Sequence, residues 1–190
     1  MVNVWRSLRF TIVFAILLGL VYPLVVTVIG NVLFPFQAQG SVIAWQGHPV
    51  GSVLIAQNVT NPGLFHPRPS AVNYAANASG GSNFGPTSPA LLSEVKHNLR
   101  MVEQQNPSIN VSQIPSDMVE SSASGLDPDI SVQDALVQVP RIALASRLSQ
   151  NVLKKLINQY EQQPVLGIWG EPMVNVMQLN MAILHRTRNH

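Results

Sequence analysis

The 190 residues contain no cysteine. That excludes disulfides, thiolate nucleophiles and cysteine-ligated metal, and it suits an extracytoplasmic compartment only if the fold needs no staples. Charge is also scarce, at 11% of residues. Between Phe10 and Pro67, a stretch of 58 residues, there is no Asp, Glu, Lys or Arg at all. Of the 11 basic and 9 acidic residues, Arg6 and Arg9 precede this gap, so 9 of each sign remain from Phe34 onward. A balanced charge gives no electrostatic footprint for nucleic acid or for acidic substrates.

The gap holds one long apolar run. Phe10 to Leu33 is 24 residues, FTIVFAILLGLVYPLVVTVIGNVL. As a helix it measures roughly 36 Å, against about 30 Å of bilayer hydrocarbon. A cleaved signal peptide has a shorter apolar region, about 7–15 residues, and a small-x-small site after it, which FPFQAQG does not provide. The start FTIVFAILLG resembles a type IV pilin helix, but the run has no internal Glu and Arg9 precedes Phe10. The expected topology is therefore residues 1–9 in the cytoplasm, 10–34 as an uncleaved transmembrane helix and 35–190 as one extracytoplasmic domain. Two basic residues before the span and none soon after it set this orientation by the positive-inside bias. Pro23 removes a backbone donor and predicts a kink. Asn31, near the outer end, suits either the interface or a hydrogen bond to a partner helix.

Downstream, Ser41–Trp45 and Pro49–Ile55 read as a hairpin around Gln46-Gly47-His48. Arg68 to Pro89 is dense in Ser, Asn, Gly and Pro and reads as a long loop. Ser88 and Pro89 open a helix to about Gln105, with Leu91, Leu92, Val95, Leu99 and Val102 at helical spacing. Residues 107–130 read as loop and strand around a buried Met118-Val119. Ser131 and Asp134 form a capping-box pattern for a helix expected to break at Pro140. Ser149 caps a further helix, Gln150 to about Tyr160. Val165–Trp169 and Met173–Val176 read as strands, and a last helix from about Asn175 buries Val176, Leu179, Ala182 and Ile183. Strands and helices in separate stretches predict an α+β domain.

Motifs for chemistry are weak. Ser93-x-x-Lys96 matches the S-x-x-K of penicillin-binding enzymes, but S-D-N and K-T-G are missing and Ser93 sits mid-helix. The loop Ala78 to Asn83 is glycine-rich without the G-K-[ST] of a phosphate loop, so turn formation is its default role, and an anion cradle the alternative. His48, His66, His97, His185 and His190 show no zinc-helix spacing. Asp127-Pro128-Asp129 fits turn formation better than paired carboxylates. No Ser-His-Asp arrangement has support beyond composition. Asn58-Val59-Thr60, Asn77-Ala78-Ser79 and Asn110-Val111-Ser112 match the glycosylation pattern, which matters only in a eukaryotic secretory route.

Taken together in order, other segments form a family pattern. They are Gly19 to Pro23, Ala56-Gln57-Asn58, Phe65-His66-Pro67-Arg68-Pro69-Ser70-Ala71, Ala78 to Asn83 with Gly85-Pro86-Thr87, Ser122 to Asp127, Gln138-Val139-Pro140-Arg141, and Gly170-Glu171-Pro172 with Val174-Asn175-Val176 and Leu179-Asn180. The chain resembles KdpC, the C-subunit family of the Kdp-type potassium-transporting P-type ATPase. It departs from the usual pattern at Glu120-Ser121 before the SASG stretch, and at Met173, where a basic residue is frequent.

The resemblance implies a non-catalytic accessory subunit in a bacterial inner membrane, with no cofactor of its own, in a complex that uses ATP, Mg and K. Its partners would be a channel-like potassium-selective subunit, a P-type ATPase catalytic subunit and a small single-span subunit, besides membrane lipid. It also implies a role in assembly, and as a catalytic chaperone that raises the pump's ATP affinity. An outer domain cannot touch cytoplasmic ATP, so that effect would have to be indirect. Candidate partner-interface residues are Asn31, Phe65, His66, Arg68, Ser70, Ser79, Gly80, Gly81, Ser82 and Asn83. For Gly80, Gly81, Pro67 and Pro69, turn shaping is an equal alternative. Arg68 and Arg141 are the expected paired charges, within the chain or across subunits. The competing expectation is a membrane-anchored extracytoplasmic hydrolase, which needs a nucleophile and base near Ser79–Asn83.

Overall fold

The computed structural model describes residues 2–188. It divides into two units, residues 1–42 and 43–190. His190 lies outside the described residues.

The first unit is helical. Helix α1 (Val2–Ile16) passes through a π turn (Leu17–Val21) into α2 (Tyr22–Leu33), and a four-residue helix α3 (Pro35–Ala38) follows. The apolar helix Asn3–Leu33 is long and apolar enough to cross a membrane, and no residue of its most apolar stretch is buried. The chain remains helical through Pro23, and the π turn shows how. Pro23 has no N–H to offer, and the wider turn just before it sends the Tyr22 N–H to Leu17 O. A π bulge absorbs such a break in the i→i−4 ladder.

In the second unit, β1 (Val42–Trp45) and β2 (His48–Ser52) form a hairpin. Its turn residues Gln46 and Gly47 have φ of 53° and 82°. Two successive positive φ values match the right-handed twist of paired strands. A three-stranded antiparallel sheet has the order β3 (Asp129–Ser131), β5 (Met173–Asn175), β4 (Glu161–Gln162). Around it stand α4 (Pro89–Gln105), α5 (Val132–Ser146), α6 (Gln150–Tyr160) and α7 (Val176–Arg188). The domain is thus mixed α and β after an N-terminal apolar helix, as the sequence pattern predicts.

The main core joins α5, α6, α7, β3 and β5 through fully buried residues such as Ile130, Ile142, Leu153, Ile157, Val174 and Leu179. A smaller cluster sets Val102 of α4 against Met118 and Val119. These two residues lie at the end of a 3₁₀ turn, Ser116–Met118, rather than in a strand.

Two local expectations need correction, and a third, Ser88 as the N-cap of α4, holds in position but without a side-chain bond. Helix α5 does not break at Pro140. The proline is exposed, and the carbonyl it leaves without an N–H partner belongs to Leu136, also on the exposed side, where water can serve it. Ala135, Val139 and Ile142 hold both halves of the helix in the core. Ser88 occupies the N-cap position of α4 without a side-chain bond, whereas Ser131 and Ser149 both accept from backbone N–H groups. Val165–Trp169 is not a strand but a tight turn closed by one bridge between its end residues.

Residues 53–88 contain no helix or strand. Gly125 has φ +67°, and a Cβ there would lie 2.6 Å from Val72 Cγ2 and 2.7 Å from Gly80 O. Gly85 faces open space with an ordinary φ. Gly125→Ala is therefore expected to cost at least about 1–2 kcal/mol from the positive φ alone, with the clash in addition, and Gly85→Ala almost nothing. Urea unfolding of the detergent-solubilised chain reads both.

Candidate functional site

The segment from Asn61 to Asn83 lacks a ladder for its own backbone groups, so partners must come from elsewhere. Helices α5 and α7 supply them through side-chain amides. The Asn180 Oδ1 accepts the Phe65 N–H at 2.7 Å, and its Nδ2 donates to Phe65 O at 2.9 Å. Gln138 repeats this on the next residue: Oε1 accepts the His66 N–H at 2.8 Å and Nε2 donates to His66 O at 3.0 Å. Each amide thus copies the two bonds of a β partner residue. The Phe65 ring is wholly buried in the main core.

The network extends from Gln138. Its Nε2 also donates to Asp134 Oδ1 at 2.7 Å, one helical turn earlier. Its Oε1 accepts from Arg141 Nη2 at 2.6 Å. Arg141 Nη1 donates to the carbonyls of Pro62 and Leu64 at 2.6 and 3.1 Å. The guanidinium is therefore solvated by carbonyl and amide dipoles, and among the described residues no carboxylate lies within ion-pair distance of it. Asp134 is 1% exposed. Burial, the largest cause, lifts its pKa to about 8, and the Asp117 charge adds to it against the lowering pull of Gln138 and the two arginines. Asp134 is thus a neutral acid at pH 7.

His66 sits at the rim of this network. Its ring nitrogens face Gln105 Oε1 and the Asn61 carbonyl, each at 3.2 Å, with Arg141 Nη1 at 3.5 Å. Burial first, then the positive Arg141, lower its pKa below 6.5. A cavity of about 340 Å³ opens here, walled by the His66–Tyr74 segment, by α4 from Asn98 to Gln105 and by Asp134, Gln138 and Arg141 of α5. Its lining is mixed: Val59, Met101, Val102 and Met118 supply apolar wall, and His66, Gln138 and Arg141 are committed to internal bonds.

The rest of the loop docks on residues 122–127. Arg68 pairs with Asp127 at 3.3 Å, so this charge pair is internal. Arg141, the other expected member of an ion pair, instead serves carbonyls. Ser70 Oγ donates to Gly125 O at 2.6 Å and accepts from the Val72 and Tyr74 N–H groups. The Ser79 hydroxyl and the Gly80 N–H both go to Ser124 O, at 3.1 and 2.8 Å. A Cβ at Gly81 would stand 2.9 Å from Ala123 O. Asn83, at φ 54°, donates to Gly81 O at 3.1 Å. Gly81 is thus required for close backbone approach, whereas a Cβ at Gly80 would meet only Val72 Cγ1 at 3.9 Å. Ser82 is half-buried on the same loop. Asn31 stands apart, in the first unit, with Nδ2 bonded to Thr27 O of its own helix at 2.8 Å.

Of the sequence-predicted residues, His66, Arg68, Ser70, Ser79, Gly80, Gly81, Ser82 and Asn83 share one continuous loop. Phe65 is corrected: its ring is core, so only the residues around it present surface. Asp134, Gln138, Tyr74, Asn175 and Asn180 were missed as organising residues. The available signal was an amide or acid on the apolar face of a helix, Asp134 and Gln138 flanking Ala135 and Val139, and Asn180 beside Leu179. Asn175 donates to Val53 O and Asp129 Oδ1, both at 2.9 Å, and accepts the Gln178 N–H. Asp127 accepts the Asp129 N–H at 3.2 Å. The Asp-Pro-Asp segment is therefore a turn.

As chemistry, the arrangement is a scaffold. The Ser70 and Ser79 hydroxyls point at carbonyls, and the His66 ring meets Asn61, Gln105 and Arg141 rather than a serine. Among the described residues no three His, Asp or Glu side chains are grouped to hold a metal.

Comparison with known proteins agrees with the motif order. Residues 4–185 match the family model described as KdpC, K+-transporting ATPase, c chain. The "Potassium-transporting ATPase KdpC subunit" of Caldanaerobacter subterraneus subsp. tengcongensis is 47% identical over 185 residues, 97% of this chain and 96% of that one. The protein of the same name from Rhodopseudomonas palustris is 44% identical over 88% of this chain and 90% of its own length. That of Bacillus cereus strain AH820 is 42% identical, covering 93% and 92%. The chain belongs to the KdpC family.

A pH test isolates the network. Unfolded, the Asp134 carboxyl titrates near 3.8; folded, near 8. Its protonation favours the folded state, so the stabilisation is fully present below about pH 4 and lost as pH rises through about 8, at up to ~1.4 kcal/mol per unit. His66 acts oppositely, its pKa being lowered on folding, and loses its share as pH falls below about 6.5. Asp134→Asn keeps an acceptor for Gln138 and abolishes the first slope. In urea unfolding of the solubilised chain, the variant should gain on the parent steadily from pH 5 to pH 8.

Proposed function

We propose that this member of the KdpC family is the accessory, non-catalytic subunit of an ATP-driven potassium importer, held in the bacterial inner membrane by its one apolar helix. The observation that carries this reading is the family match across almost the whole chain, including the helix. Curated relatives of matching length are named as KdpC subunits of a potassium-transporting ATPase. A subunit of such an enzyme works with other chains, and this one offers a framework rather than a reactive group. Its polar loop side chains are spent on backbone carbonyls and N–H groups, so the loop's shape is fixed before any partner arrives.

On this reading a channel-like potassium-selective subunit, a P-type catalytic subunit and a small single-span subunit are the partners. ATP, Mg and K are handled by them. The apolar helix is the natural site for packing against partner helices. Gly19, Gly30 and Pro23 give it a face of low relief, and a Cβ at either glycine would meet nothing. The exposed parts of the Ser79–Asn83 loop and the rim around His66 and Arg68 are the surface for recognition outside the bilayer. An effect on ATP affinity would pass through the few residues before Phe10 or through the packed helices, since the domain beyond the span lies across the membrane from cytoplasmic ATP on this reading. Stabilisation of the assembly is the simplest role for such a part.

Affinity purification of the full chain from native membranes in mild detergent should recover a channel-like protein and a P-type ATPase in equal amounts. Recovery of the chain alone would exclude the reading. Protease added to sealed spheroplasts should remove residues after about 35, whereas inside-out vesicles should protect them. The reverse pattern would exclude the orientation.

A further inference from the structure

The hairpin joining β4 to β5 carries an apolar tip. Residues 162–170, QQPVLGIWG, contain no charge. Leu166 is 80% exposed and Ile168 74%, with Val165 and Trp169 also well exposed. These four large apolar side chains follow one another around a single turn. Scattered apolar residues on a surface are ordinary, but a contiguous patch marks an interaction site.

The tip is pre-shaped. The Val165 N–H donates to Trp169 O at 2.9 Å, and the Trp169 N–H returns to Val165 O at 3.1 Å. Leu166 and Gly167 have φ of 54° and 72°. For leucine a left-handed conformation costs roughly 1–2 kcal/mol; here it closes the hydrogen-bonded turn and leaves the side chain exposed. The base is rooted in the core: Glu161 and Gln162 pair with Val174 and Met173, and Val174 is wholly buried. A rigid, apolar, Trp-bearing projection loses little entropy on docking, as binding anchors do.

The occupant follows from charge. The formal charges bounding the tip are both acidic, Glu161 at its root and Glu171 just after it, the latter exposed. Interfacial membrane elements pair their apolar face with Lys or Arg, because bacterial and other anionic lipid surfaces repel carboxylates. A second copy of this chain joined tip to tip would set these carboxylates against each other. We propose that Val165–Trp169 is a docking finger that enters an apolar cleft rimmed by Lys or Arg on another protein subunit of the complex. The inference rests on the accessory-subunit reading and adds to it the contact by which the outer domain is held.

The test uses the full chain in native membranes. Leu166→p-benzoylphenylalanine places a photo-crosslinker at the tip, and the same replacement at Leu144, 87% exposed on α5, serves as a control. The expected result is one dominant adduct from position 166, to a subunit that also co-purifies, at an apolar segment beside a Lys or Arg. Adding Glu171→Lys should lower its yield about fivefold, the scale of one exposed ion pair near 1 kcal/mol. Glu120→Lys, also exposed, should leave the yield unchanged. Position 144 should not give the same adduct. Crosslinks to lipid, to a second copy or to nothing, in membranes from which the other subunits co-purify, would overturn the finger while leaving the accessory role intact. If no subunit co-purifies, both fall. Unchanged melting of each variant shows that the tip was altered without loss of the fold.

Discussion

The domain that follows the apolar helix depends on two carboxamides. Asn180 and Gln138 each grip one residue of an otherwise unladdered chain through both its N–H and its C=O. Each buried amide–backbone bond adds only about 1 kcal/mol net, but leaving any of these groups unpaired costs about 1–3 kcal/mol. The clamp is therefore strict rather than strong. It fixes where Phe65 enters the core, and from Phe65 the path of the next twenty residues follows. Ser70, Tyr74 and Gly80 then tie that path to residues 122–127 and to itself, Tyr74 through its hydroxyl to Arg68 O at 2.9 Å.

The same geometry accounts for how this domain stands without staples. A long loop closed by no disulfide would cost considerable ordering entropy. Here the ordering is offset by amides anchored on the core-facing sides of α5 and α7, beside Val139 and Leu179. Asp134 belongs to this economy. One carboxyl is kept protonated by burial and serves as an uncharged acceptor for Gln138, while Arg141 satisfies the carbonyls of Pro62 and Leu64 from the other end. A buried charge without such partners would be far more costly.

Much of the architecture was legible because its periodicities are local. The apolar run Phe10–Leu33, the α4 spacing through Val102 and the α6 face through Ile157 each declare themselves within two dozen residues or fewer. Gln46-Gly47 declares the hairpin turn in two. Pro140 misled because a rule about helix interiors was applied without knowing which side faces solvent. Val165–Trp169 misled because β-branched and aromatic residues suggest a strand, while the bridge between Val165 and Trp169 leaves room for only a turn. The clamp was illegible for a different reason. Gln138 and Asn180 lie 72 and 115 residues from the groups they hold. A polar residue on an apolar stripe says only that something must satisfy it, not what.

This division explains why the motifs carrying the family resemblance gave no chemistry when tested for catalysis. Phe65-His66-Pro67-Arg68, Gln138 to Arg141, Ser122 to Asp127 and Asn175 with Asn180 read as fragments of unrelated sites because each is half of a long-range contact. Joined in space, they are one frame: Gln138 holds His66, Arg141 holds Pro62 and Leu64, Asn180 holds Phe65, Asp127 holds Arg68, and Asn175 holds Val53 and Asp129. Polar side chains used in this way cannot also serve as nucleophiles or metal ligands without releasing the backbone they support. With the polar motifs committed to shape, the exposed apolar surface of this chain lies elsewhere, on the helix Asn3–Leu33 and on the turn around Leu166.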